Sequence, residues 1–570
     1  MPVNVRHLVA VLFWLFPLSA LAQQVDVRVH GEAPGLRENI DAHLNKVEGR
    51  DKAGLRRYAS YAREEARRAA EALGYYQARV ETRIKDGDPP ILLVTVTPGT
   101  PVHVRGVSLR IEGPASELEA FDIPGKLRPQ PGDRLDHGAY QKLKDRIQNL
   151  ALRYGFFDGH FKRHRLYVDA NNGYADITLI YQSGPRYRLG KVHFPEQLAL
   201  SDELLRRFVR FEPGTPYDAD KIARLNQDLR NSGYFREILV DASPEQAKDR
   251  VIPVDVSLTM RKPHDLGVGV GFSTDVGPRT RLSWTEHWVN DAGLRRGADL
   301  EVSRPRQNIQ GWYEMPLDPP VTDSMRFTGG YQREDIEDTK SKLLTLGVQW
   351  QHQMPSEWQE VVSLKWHDER FNLGGDTGRT SLLLPGLSFS KLHSDQSIDP
   401  SRGYRLQLDI TGASKEVLSD ANLLRGTVLA KGLTTVGAGH RFLARLQVGG
   451  LAANDFSLIP PTLRFFAGGD QSVRGYGYRT LAPTDEDGDL VGGRYLFESS
   501  FEYQYPLSQH WRLAFFVDHG NAFDSLSEPL KTGVGTGIRW VSPVGPLRLD
   551  LARAMDDGSF RLHFSMGPEL

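Results

Sequence analysis

The sequence predicts an α+β segment of three similar repeats followed by a C-terminal transmembrane antiparallel β-barrel of about 16 strands. A glycine followed by two aromatic residues recurs at Gly74, Gly155 and Gly233, with an apolar helical stripe before each copy. From about Asp265 onward that helical spacing fades, and apolar and polar residues alternate in segments separated by polar loops. The change of period separates a helix-containing first half from a strand-rich second half.

The N-terminus has the pattern of a secretory signal peptide. A basic start precedes an apolar run from Leu8 to Leu18, and Ala20-x-Ala22 follows as a cleavage pattern. An uncleaved anchor helix is the alternative, but the run is shorter than the roughly 20 residues that a membrane span needs. We therefore assign residues 1–22 to a signal peptide, which places the mature chain in the cell envelope.

Composition excludes several classes of protein. Lysine and arginine number 71 against 72 acidic residues, so no basic excess points to a nucleic-acid partner. With 39% hydrophobic residues and a mean hydropathy of −0.43, the chain is too polar for a bundle of membrane-spanning helices. It contains no cysteine, which excludes thiolate metal sites and cysteine nucleophiles.

The three repeats define the N-terminal domains. Each carries an amphipathic helix, then the glycine, then alternating strand-like residues, and this pattern predicts a small sheet backed by helices. The glycine fits a helix C-cap, where a left-handed backbone is easiest without Cβ. We interpret the aromatic residues after it as core rather than as a binding site. The repeats are assigned to residues 23–100, 101–184 and 185–262.

Residues 263–570 form the predicted barrel. Tyr404, Leu406, Leu408 and Ile410 alternate with polar residues, and several other segments repeat this pattern. A soluble β-sandwich also alternates, but the signal peptide and the aromatic residues on the apolar face favour a membrane barrel with aromatic girdles. About 300 residues at roughly 19 per strand and loop give about 16 strands, and such barrels have even strand numbers.

The first and last strands of this barrel must meet at a seam. In the first strand Gly267, Gly269 and Gly271 face the lumen while the apolar residues between them face lipid. Interior glycines weaken a strand, and close packing of small residues in a crowded lumen is the alternative explanation. In the last strand Phe564 faces lipid, and pairing should fade after Gly567 because a proline follows. These five residues mark a predicted weak seam.

A glycine-rich motif between two barrel strands carries a family resemblance. Its residues are Gly468, Gly469, Val473, Arg474, Gly475 and Tyr476. The motif resembles the signature of the outer-membrane assembly superfamily, which includes BamA and the two-partner secretion exporters. This resemblance implies an extracellular loop that folds back into the lumen with Arg474 at its tip. The order of signal peptide, three repeats similar to POTRA domains and one barrel resembles the TamA family of that superfamily, in which the terminal strand turns inward at the seam.

An enclosed Arg474 needs acidic partners, because a guanidinium is always ionised. Strand parity turns Glu502 and Asp518 toward the lumen, since the aromatic and apolar residues beside them face lipid. The family resemblance implies acids on the lumen faces of these strands, and we predict that Arg474 is bound by Asp518 or Glu502. Either this salt bridge only stabilises the loop and the barrel, or it also tunes how readily the seam opens.

The sequence contains no motif of an enzyme or of a cofactor site. A Gly-x-Ser-x-Gly elbow, a His-Glu-x-x-His pair and a phosphate-binding Gly-x-x-x-x-Gly-Lys loop are all absent. Asp518-His519 is not interpreted as part of a triad, because adjacent strand residues point to opposite faces. The acidic turn 485–489 lacks the glycine and glutamate spacing of an EF-hand loop. We expect a non-enzymatic protein without metal or cofactor.

The resemblance implies a protein that assembles or inserts other proteins at the bacterial outer membrane, with its POTRA domains in the periplasm and a weak first-to-last-strand seam. It implies as partners unfolded outer-membrane or autotransporter-type clients, the lipid bilayer and an inner-membrane-anchored periplasmic protein of the TamB type. One alternative is a two-partner secretion exporter, which a helix in the lumen or only two repeats would favour. A second is a barrel that transports envelope lipid. The repeats argue against a passive porin and a barrel lipase.

Overall fold

The computed structural model describes residues 24–44, 47, 49–542 and 545–567. The predicted signal peptide and the proline after Gly567 lie outside these residues. Within the described part of the chain, no helix combines the length and the apolar character of a membrane span. The described residues form two compact units, and the third repeat is divided between them. The first unit comprises the chain up to Lys191 together with Phe211–Ile222 and Ala242–Val254, and the second comprises Val192–Arg210, Ala223–Asp241 and the chain from Asp255 onward.

Three repeats share one chain order of strand, helices, strand, strand. In each three-stranded sheet the last strand lies between the first two. The first repeat consists of β1 (Val25–Val29), α1 (Leu36–His43), α2 (Lys52–Ala72), β2 (Arg79–Lys85) and β3 (Ile91–Thr97). The second consists of β4 (His103–Glu112), 3-10 helices at Pro114–Glu117, Glu119–Phe121 and Gly125–Leu127, α3 (His137–Arg153), β5 (His160–Asp169) and β6 (Tyr174–Gln182). The third consists of β7 (Arg188–His193), α4 (Asp202–Arg206), α5 (Ala219–Asn231), β8 (Phe235–Asp241), a 3-10 helix at Pro244–Gln246 and β9 (Val251–Met260).

Helix α2 illustrates why these elements form where they do. Asp51 caps its N-terminus by accepting a 2.6 Å hydrogen bond from the backbone amide of Gly54. The apolar stripe expected from the spacing is its buried face, and it packs against the alternate apolar residues of the central strand β3. The members of this contact are Leu55, Tyr58, Ala62, Ala66 and Ala69 on the helix and Leu92, Val94 and Val96 on the strand.

The recurring glycines join each repeat to the segment that follows it. Gly74, Gly155 and Gly233 all have left-handed backbones, with φ of +85°, +80° and +76°. A Cβ on Gly74 would lie 2.7 Å from the carbonyl oxygen of Leu135, and one on Gly155 would lie 2.6 Å from the Cβ of Tyr217. Both neighbours come just before the main helix of the next repeat. The glycines therefore serve the close approach of consecutive repeats as well as the helix caps.

Among the described residues, sixteen antiparallel strands form a single sheet in chain order, which confirms the predicted fold class and strand number. Side chains on the outward rows of these strands are apolar and exposed, as the alternation required. The strands are β10 (His264–Ser273), β11 (Gly277–Glu286), β12 (Arg295–Ser303), β13 (Arg306–Pro316), β14 (Asp323–Ile336), β15 (Thr339–Gln353), β16 (Gln359–Leu373), β17 (Asp376–Ser394), β18 (Arg402–Ala413), β19 (Leu423–Val436), β20 (His440–Ala453), β21 (Tyr495–Pro506), β22 (Trp511–Phe523), β23 (Lys531–Ser542), β24 (Gly545–Ala554) and β25 (Phe560–Met566).

Part of the third repeat packs on the connection between β11 and β12. The Tyr234 hydroxyl donates a 2.7 Å hydrogen bond to the carbonyl of Gly293, and the amide of Ser201 donates one of 2.8 Å to the carbonyl of Asp291. Gly293 has φ of +72°, and a Cβ there would lie 2.5 Å from Leu204. Tyr234, the first aromatic residue of the third triplet, thus fastens this part of the repeat to the connection between β11 and β12, in addition to being buried.

Substitution of Gly155 with alanine should destabilise the second repeat by about 2–4 kcal/mol. About 1 kcal/mol comes from placing a Cβ on a left-handed backbone. The rest comes from overlap with Tyr217, since overpacking typically costs about 1–3 kcal/mol. Amide hydrogen exchange of α3 and β6 in the full-length protein measures the loss.

The matched control is Gly132→Ala in the same repeat. Gly132 also has a left-handed backbone, with φ of +94°, but nothing lies within 4 Å of the added Cβ. This control should therefore cost only about 1 kcal/mol. Equal losses in the two variants would contradict the assignment of Gly155 to the joint between repeats.

Candidate functional site

The connection between β20 and β21 folds into the interior of the barrel. We call residues 454–494 the lumen loop. Its apolar side chains are buried together with inward-facing residues of β17, β19, β20, β21, β22 and β24, so the loop has its own hydrophobic contacts inside the lumen. The buried loop residues are Ile459, Leu463, Phe465, Ala467, Val473, Tyr476 and Leu481. The barrel interior is a packed core along these strands.

Arg474 lies between both of the acids predicted to bind it. Its Nε and Nη2 donate to the two carboxylate oxygens of Asp518 at 2.7 and 2.9 Å, and its backbone amide adds a 3.1 Å bond to the same side chain. Its Nη1 donates to Glu502 at 2.8 Å. The guanidinium carbon stands 3.4 Å from the ring centroid of Phe516, an inward-facing residue of β22. The bidentate geometry fixes the direction of the loop tip as well as its position.

Two further charged residues complete this cluster, and the sequence analysis did not include them. Asp550 accepts a 3.2 Å bond from Arg474, and Arg539 bridges Asp550 and Glu502 at 2.5 and 2.8 Å. Both were within reach of the parity argument, because Asp550 stands between two outward leucines and Arg539 between two outward apolar residues. Strand parity shows which charged residues face inward, but it does not show which of them converge on the lumen loop. We call Arg474, Glu502, Asp518, Arg539 and Asp550 the arginine cluster.

The arginine cluster is stable only as a set. Asp518 is fully buried and Arg539 is 1% exposed, so neither charge has water to solvate it. Buried charges are tolerated when they are paired and fully hydrogen-bonded, and removing one partner typically costs about 3–5 kcal/mol. Two guanidinium groups and three carboxylates leave the cluster with one excess negative charge, which the Ser500 hydroxyl helps to solvate by donating to Asp518.

Glycines make the room that the loop tip needs. Gly475 has φ of +99°, and a Cβ there would lie 3.0 Å from the backbone nitrogen of Ala554 on β24. On β23 a Cβ at Gly533 would lie 1.8 Å from the Arg474 carbonyl oxygen, and one at Gly537 equally close to Asp550. The glycine after the motif arginine is therefore required by backbone conformation and by close approach to the barrel wall.

The other motif residues shape the loop around Arg474. Gly468 and Gly469 have φ of +97° and +111°, and the Gly468 amide donates to the Ser472 hydroxyl at 2.7 Å. Val473 is fully buried, and the Tyr476 hydroxyl donates a 2.6 Å bond to Asp556 in the turn between β24 and β25. All six motif residues thus fold, bury or anchor the loop tip.

The seam between β10 and β25 differs from every other strand junction of the sheet. Among the described residues, a single backbone hydrogen bond crosses it, from the Thr274 amide to the Phe564 carbonyl at 3.1 Å. The rings of Phe272 and Phe564 also meet, with centroids 5.8 Å apart. Leu266, Val268 and Val270 are 81%, 75% and 74% exposed, against 44% for outward-facing Leu282 on the fully paired strand β11. Strand β10 is therefore an open edge over most of its length.

The three seam glycines do not share one role. A Cβ on Gly267 would lie 2.4 Å from the Ser283 hydroxyl and one on Gly271 would lie 2.9 Å from Arg279, so both positions make room for cross-strand neighbours. At Gly269 the same atom would meet only an ordinary 3.8 Å contact. At the first two positions the structure matches the packing explanation. What sets the seam apart is missing backbone pairing at the strand edge among the described residues, not the glycines.

The last strand stops where its sequence breaks the pattern. Phe564 pairs with Leu549 of β24, and β25 ends at Met566. Gly567 has φ of +139°, and its amide still donates a 3.1 Å bond to Pro546. Because β25 is short and meets β10 near Thr274, residues 264–271 of β10 have no ladder partner on the seam side among the described residues.

These features define a class of protein: an antiparallel β-barrel of 16 strands with an arginine-anchored lumen loop, preceded by small α+β repeats. Residues 262–569, more than half of the chain, match the Omp85 superfamily domain, and the chain belongs to this superfamily. Residues 26–98 match the first POTRA domain of TamA, and residues 187–261 match the surface antigen variable number repeat, a POTRA family. The protein is an outer-membrane β-barrel with periplasmic POTRA domains.

Similar proteins agree with this family. The chain is 23% identical to the outer membrane protein assembly factor BamA of Nitratidesulfovibrio vulgaris over 71% of this chain and 54% of that protein. It is 22% identical to BamA of Neisseria meningitidis over 87% of this chain and 70% of that protein. The crystal structure of Haemophilus ducreyi BamA lacking POTRA domains 1–3 superposes with a TM-score of 0.67 at 14% identity, over 82% of this chain and 99% of that one. The chain thus spans about half the length of the first relative.

Substitution of Arg474 with alanine should release the lumen loop. Asp518 and Glu502 would lose their charge partner inside the barrel, at a cost of about 3–5 kcal/mol. Arg474→Lys keeps the charge but loses the bidentate contact, so it should fall between the wild type and alanine. Protease cleavage of residues 454–494 in the folded barrel measures the release, and gel mobility without heating measures barrel assembly.

Arg479→Ala is the matched control, because Arg479 is in the same loop but has one acidic contact, Glu334 at 3.1 Å. It should have a smaller effect on loop cleavage. Equal cleavage in the two alanine variants would contradict the anchoring role. A normally folded Arg474→Ala barrel that has lost client assembly would refute a purely structural role.

Proposed function

We propose that this protein is a non-enzymatic factor that assembles or inserts other proteins into the outer membrane through the seam between β10 and β25. The observation that carries the proposal is the open edge of β10, where residues 264–271 pair only with β11 among the described residues. Membership of the Omp85 superfamily and the likeness to proteins named outer membrane protein assembly factors support it.

An open strand edge offers a template for an incoming strand. Lipid cannot hydrogen-bond to backbone amides and carbonyls, so a client strand entering the bilayer needs a partner edge. Strand β10 supplies such an edge by β-augmentation, and alternate residues of the client then face lipid in step with Leu266, Val268 and Val270. The exchange of one strand pairing for another needs no nucleotide and no covalent chemistry.

Two features favour insertion over export through the lumen. The structure has three repeats, where a two-partner exporter was expected to have two. The lumen loop packs inside the barrel along strands between β17 and β24, and Arg474 anchors it there to Asp518 and Glu502, while Arg464 holds together the fold of the loop itself. A seam route leaves this packing in place, whereas a lumen route requires the loop to leave.

A TamA-type role is the finer form of the proposal. The match of the first repeat to the first POTRA domain of TamA supports it. In this role the clients are autotransporter-type proteins, and an inner-membrane-anchored periplasmic partner of the TamB type binds the first repeat. Both β1 and β2 are edge strands in the order β1-β3-β2, and β2 is the surface better suited to that partner because its side chains are the more exposed.

Locking the seam should abolish client assembly. Cysteines replacing Phe272 and Phe564 would stand where two rings are now 5.8 Å apart, and the chain has no other cysteine. We expect the cross-linked protein to stop inserting an autotransporter-type barrel into lipid vesicles, with activity restored by reduction. The appearance of folded, heat-resistant client is the measurement.

A cysteine pair replacing Tyr495 and Phe523 provides a matched control. These rings are also 5.8 Å apart, but they lie in the intact ladder between β21 and β22. Cross-linking there should leave insertion unchanged. Full client assembly with a locked seam would refute the proposal, and loss of lipid transfer with intact protein insertion would support the lipid-transport alternative.

A photo-reactive side chain in place of Arg83 should capture the periplasmic partner. Arg83 is an exposed residue of β2, so a strand added at this edge would lie beside it. The control is the same probe in place of Arg165, an exposed residue of the equivalent edge strand β5 in the second repeat. Capture of a TamB-type protein at both positions, or at neither, would contradict the assignment to the first repeat.

A further inference from the structure

Three titratable side chains from separate parts of the chain meet beside the seam. Asp275 lies in the turn between β10 and β11, Asp470 in the lumen loop and His563 in β25. One carboxylate oxygen of each aspartate and one ring nitrogen of the histidine all lie within 4.8 Å of one another. This group, which we call the seam triad, therefore links the lumen loop to both strands that form the seam.

Hydrogen bonds fix the role of each member. The Gly475 amide donates to His563 Nε2 at 2.9 Å, so Nε2 is the acceptor and Nδ1 of the neutral ring carries the hydrogen. That Nδ1 stands 2.8 Å from Asp470 Oδ1 and donates to it. The Thr274 hydroxyl donates to the same oxygen at 2.7 Å, and the Asp470 amide donates to Asp275 Oδ2 at 2.7 Å.

One carboxylate oxygen of the seam triad lacks a hydrogen-bond donor among the described residues. The Asp470 side chain is 3% exposed, and its Oδ2 is buried without a hydrogen-bond donor among the described residues. Such an orphaned carboxylate oxygen beside a second carboxyl group is costly unless a proton lies between them. A proton on Asp275 supplies the missing donor.

The electrostatics of the pair place that proton on Asp275. Burial first, and then the charge of Asp470, raise the pKa of Asp275 to about 7. Burial raises the pKa of Asp470, but the hydrogen bonds from His563 and Thr274 outweigh burial and lower this pKa below its ordinary value. Arg561 on β25 is the cation that favours ionised Asp275. The other charged or titratable residues of the adjoining cavity are Arg306, Glu334, Arg425, Arg464, Tyr478, Arg479 and Glu498.

We propose that Asp275 and Asp470 share one proton, and that this proton latches the lumen loop to the first hairpin and so holds the seam closed. The latch regulates the seam of the proposed function and rests on that function only for its biological use. A bound divalent cation is the competing explanation of two close carboxylates. It is disfavoured because both ring nitrogens of His563 are already engaged in hydrogen bonds.

The sign of the pH dependence follows from linkage. The latched state holds its proton up to about pH 7, while a released Asp275 has the ordinary carboxyl pKa of 3.8. The latch is at full strength below pH 3.8 and is lost as pH rises through about 7. Between pH 3.8 and about pH 7, the ratio of open to closed seam should rise by up to about tenfold per pH unit. Above about pH 7 this ratio should level off.

The experiment is a distance measurement across the seam in the full-length barrel. Spin labels replace Val270 on β10 and Leu562 on β25, and the protein is held in lipid nanodiscs at pH 5 and pH 8. We expect a population with a longer, broader distance to grow at least about tenfold relative to the closed one at pH 8. Asp275→Asn keeps a permanent donor for Asp470, so it should stay closed at both pH values.

Further variants separate the latch from other causes. Asp470→Asn removes the second carboxylate and should also abolish the pH response. Asp376→Asn, at the exposed first residue of β17, should behave as the wild type. Persistence of the pH response in Asp275→Asn, or its absence in the wild type, overturns the latch. Closure that depends on added Zn²⁺ or Mg²⁺ and is reversed by chelator at constant pH overturns it in favour of a cation. Because the readout is seam distance, a failed insertion function would not affect it.

Discussion

A strand edge inside a lipid bilayer has backbone groups that nothing in the hydrocarbon can satisfy, and the barrel depends on how it joins its two edge strands, β10 and β25. Fifteen junctions of the sheet are continuous ladders, and each holds its neighbours by many backbone hydrogen bonds. At the junction of β10 and β25 a single backbone bond from Thr274 crosses among the described residues. The closure must therefore draw on side chains: the rings of Phe272 and Phe564 meet across the junction, and Asp470 of the lumen loop bonds to residues on both sides of it.

The lumen loop can support the seam because it is itself fixed to the barrel wall. Arg474 ties it to acids of β21, β22 and β24, and Arg464 donates to three backbone carbonyls within the connection. Buried charges contribute little net stability when they replace apolar contacts, but they define one geometry and penalise others heavily. The arginine cluster is thus better suited to positioning the loop than to stabilising the barrel.

Sequence reasoning reached the fold and part of the site. Strand parity placed Glu502 and Asp518 on the lumen face because the period of a strand is two and needs no knowledge of register. Asp550 and Arg539 obey the same parity, yet their convergence on Arg474 depends on how neighbouring strands are staggered, which alternation does not encode. The seam triad is still harder to predict from the sequence, because Asp275 and Asp470 are 195 residues apart and His563 lies a further 93 residues along the chain. The extent of the open edge depends on where β25 ends relative to β10. The glycines from which the weak seam was predicted, Gly267, Gly269 and Gly271, do not determine this extent.

If the proposed latch operates, the two roles considered for Arg474 are consecutive steps of one mechanism. Gly475, the residue after it, donates to His563 on the last strand, and Asp470, four residues before it, bonds to the first hairpin and to the same histidine. A loop that moved freely could hold neither contact, because each depends on a position accurate to a few tenths of an ångström. Anchoring by the arginine cluster is therefore the condition for any effect of the loop on the seam. Loss of the anchor should weaken both contacts together, whereas a change at Asp275 should act on the seam while leaving the anchor intact.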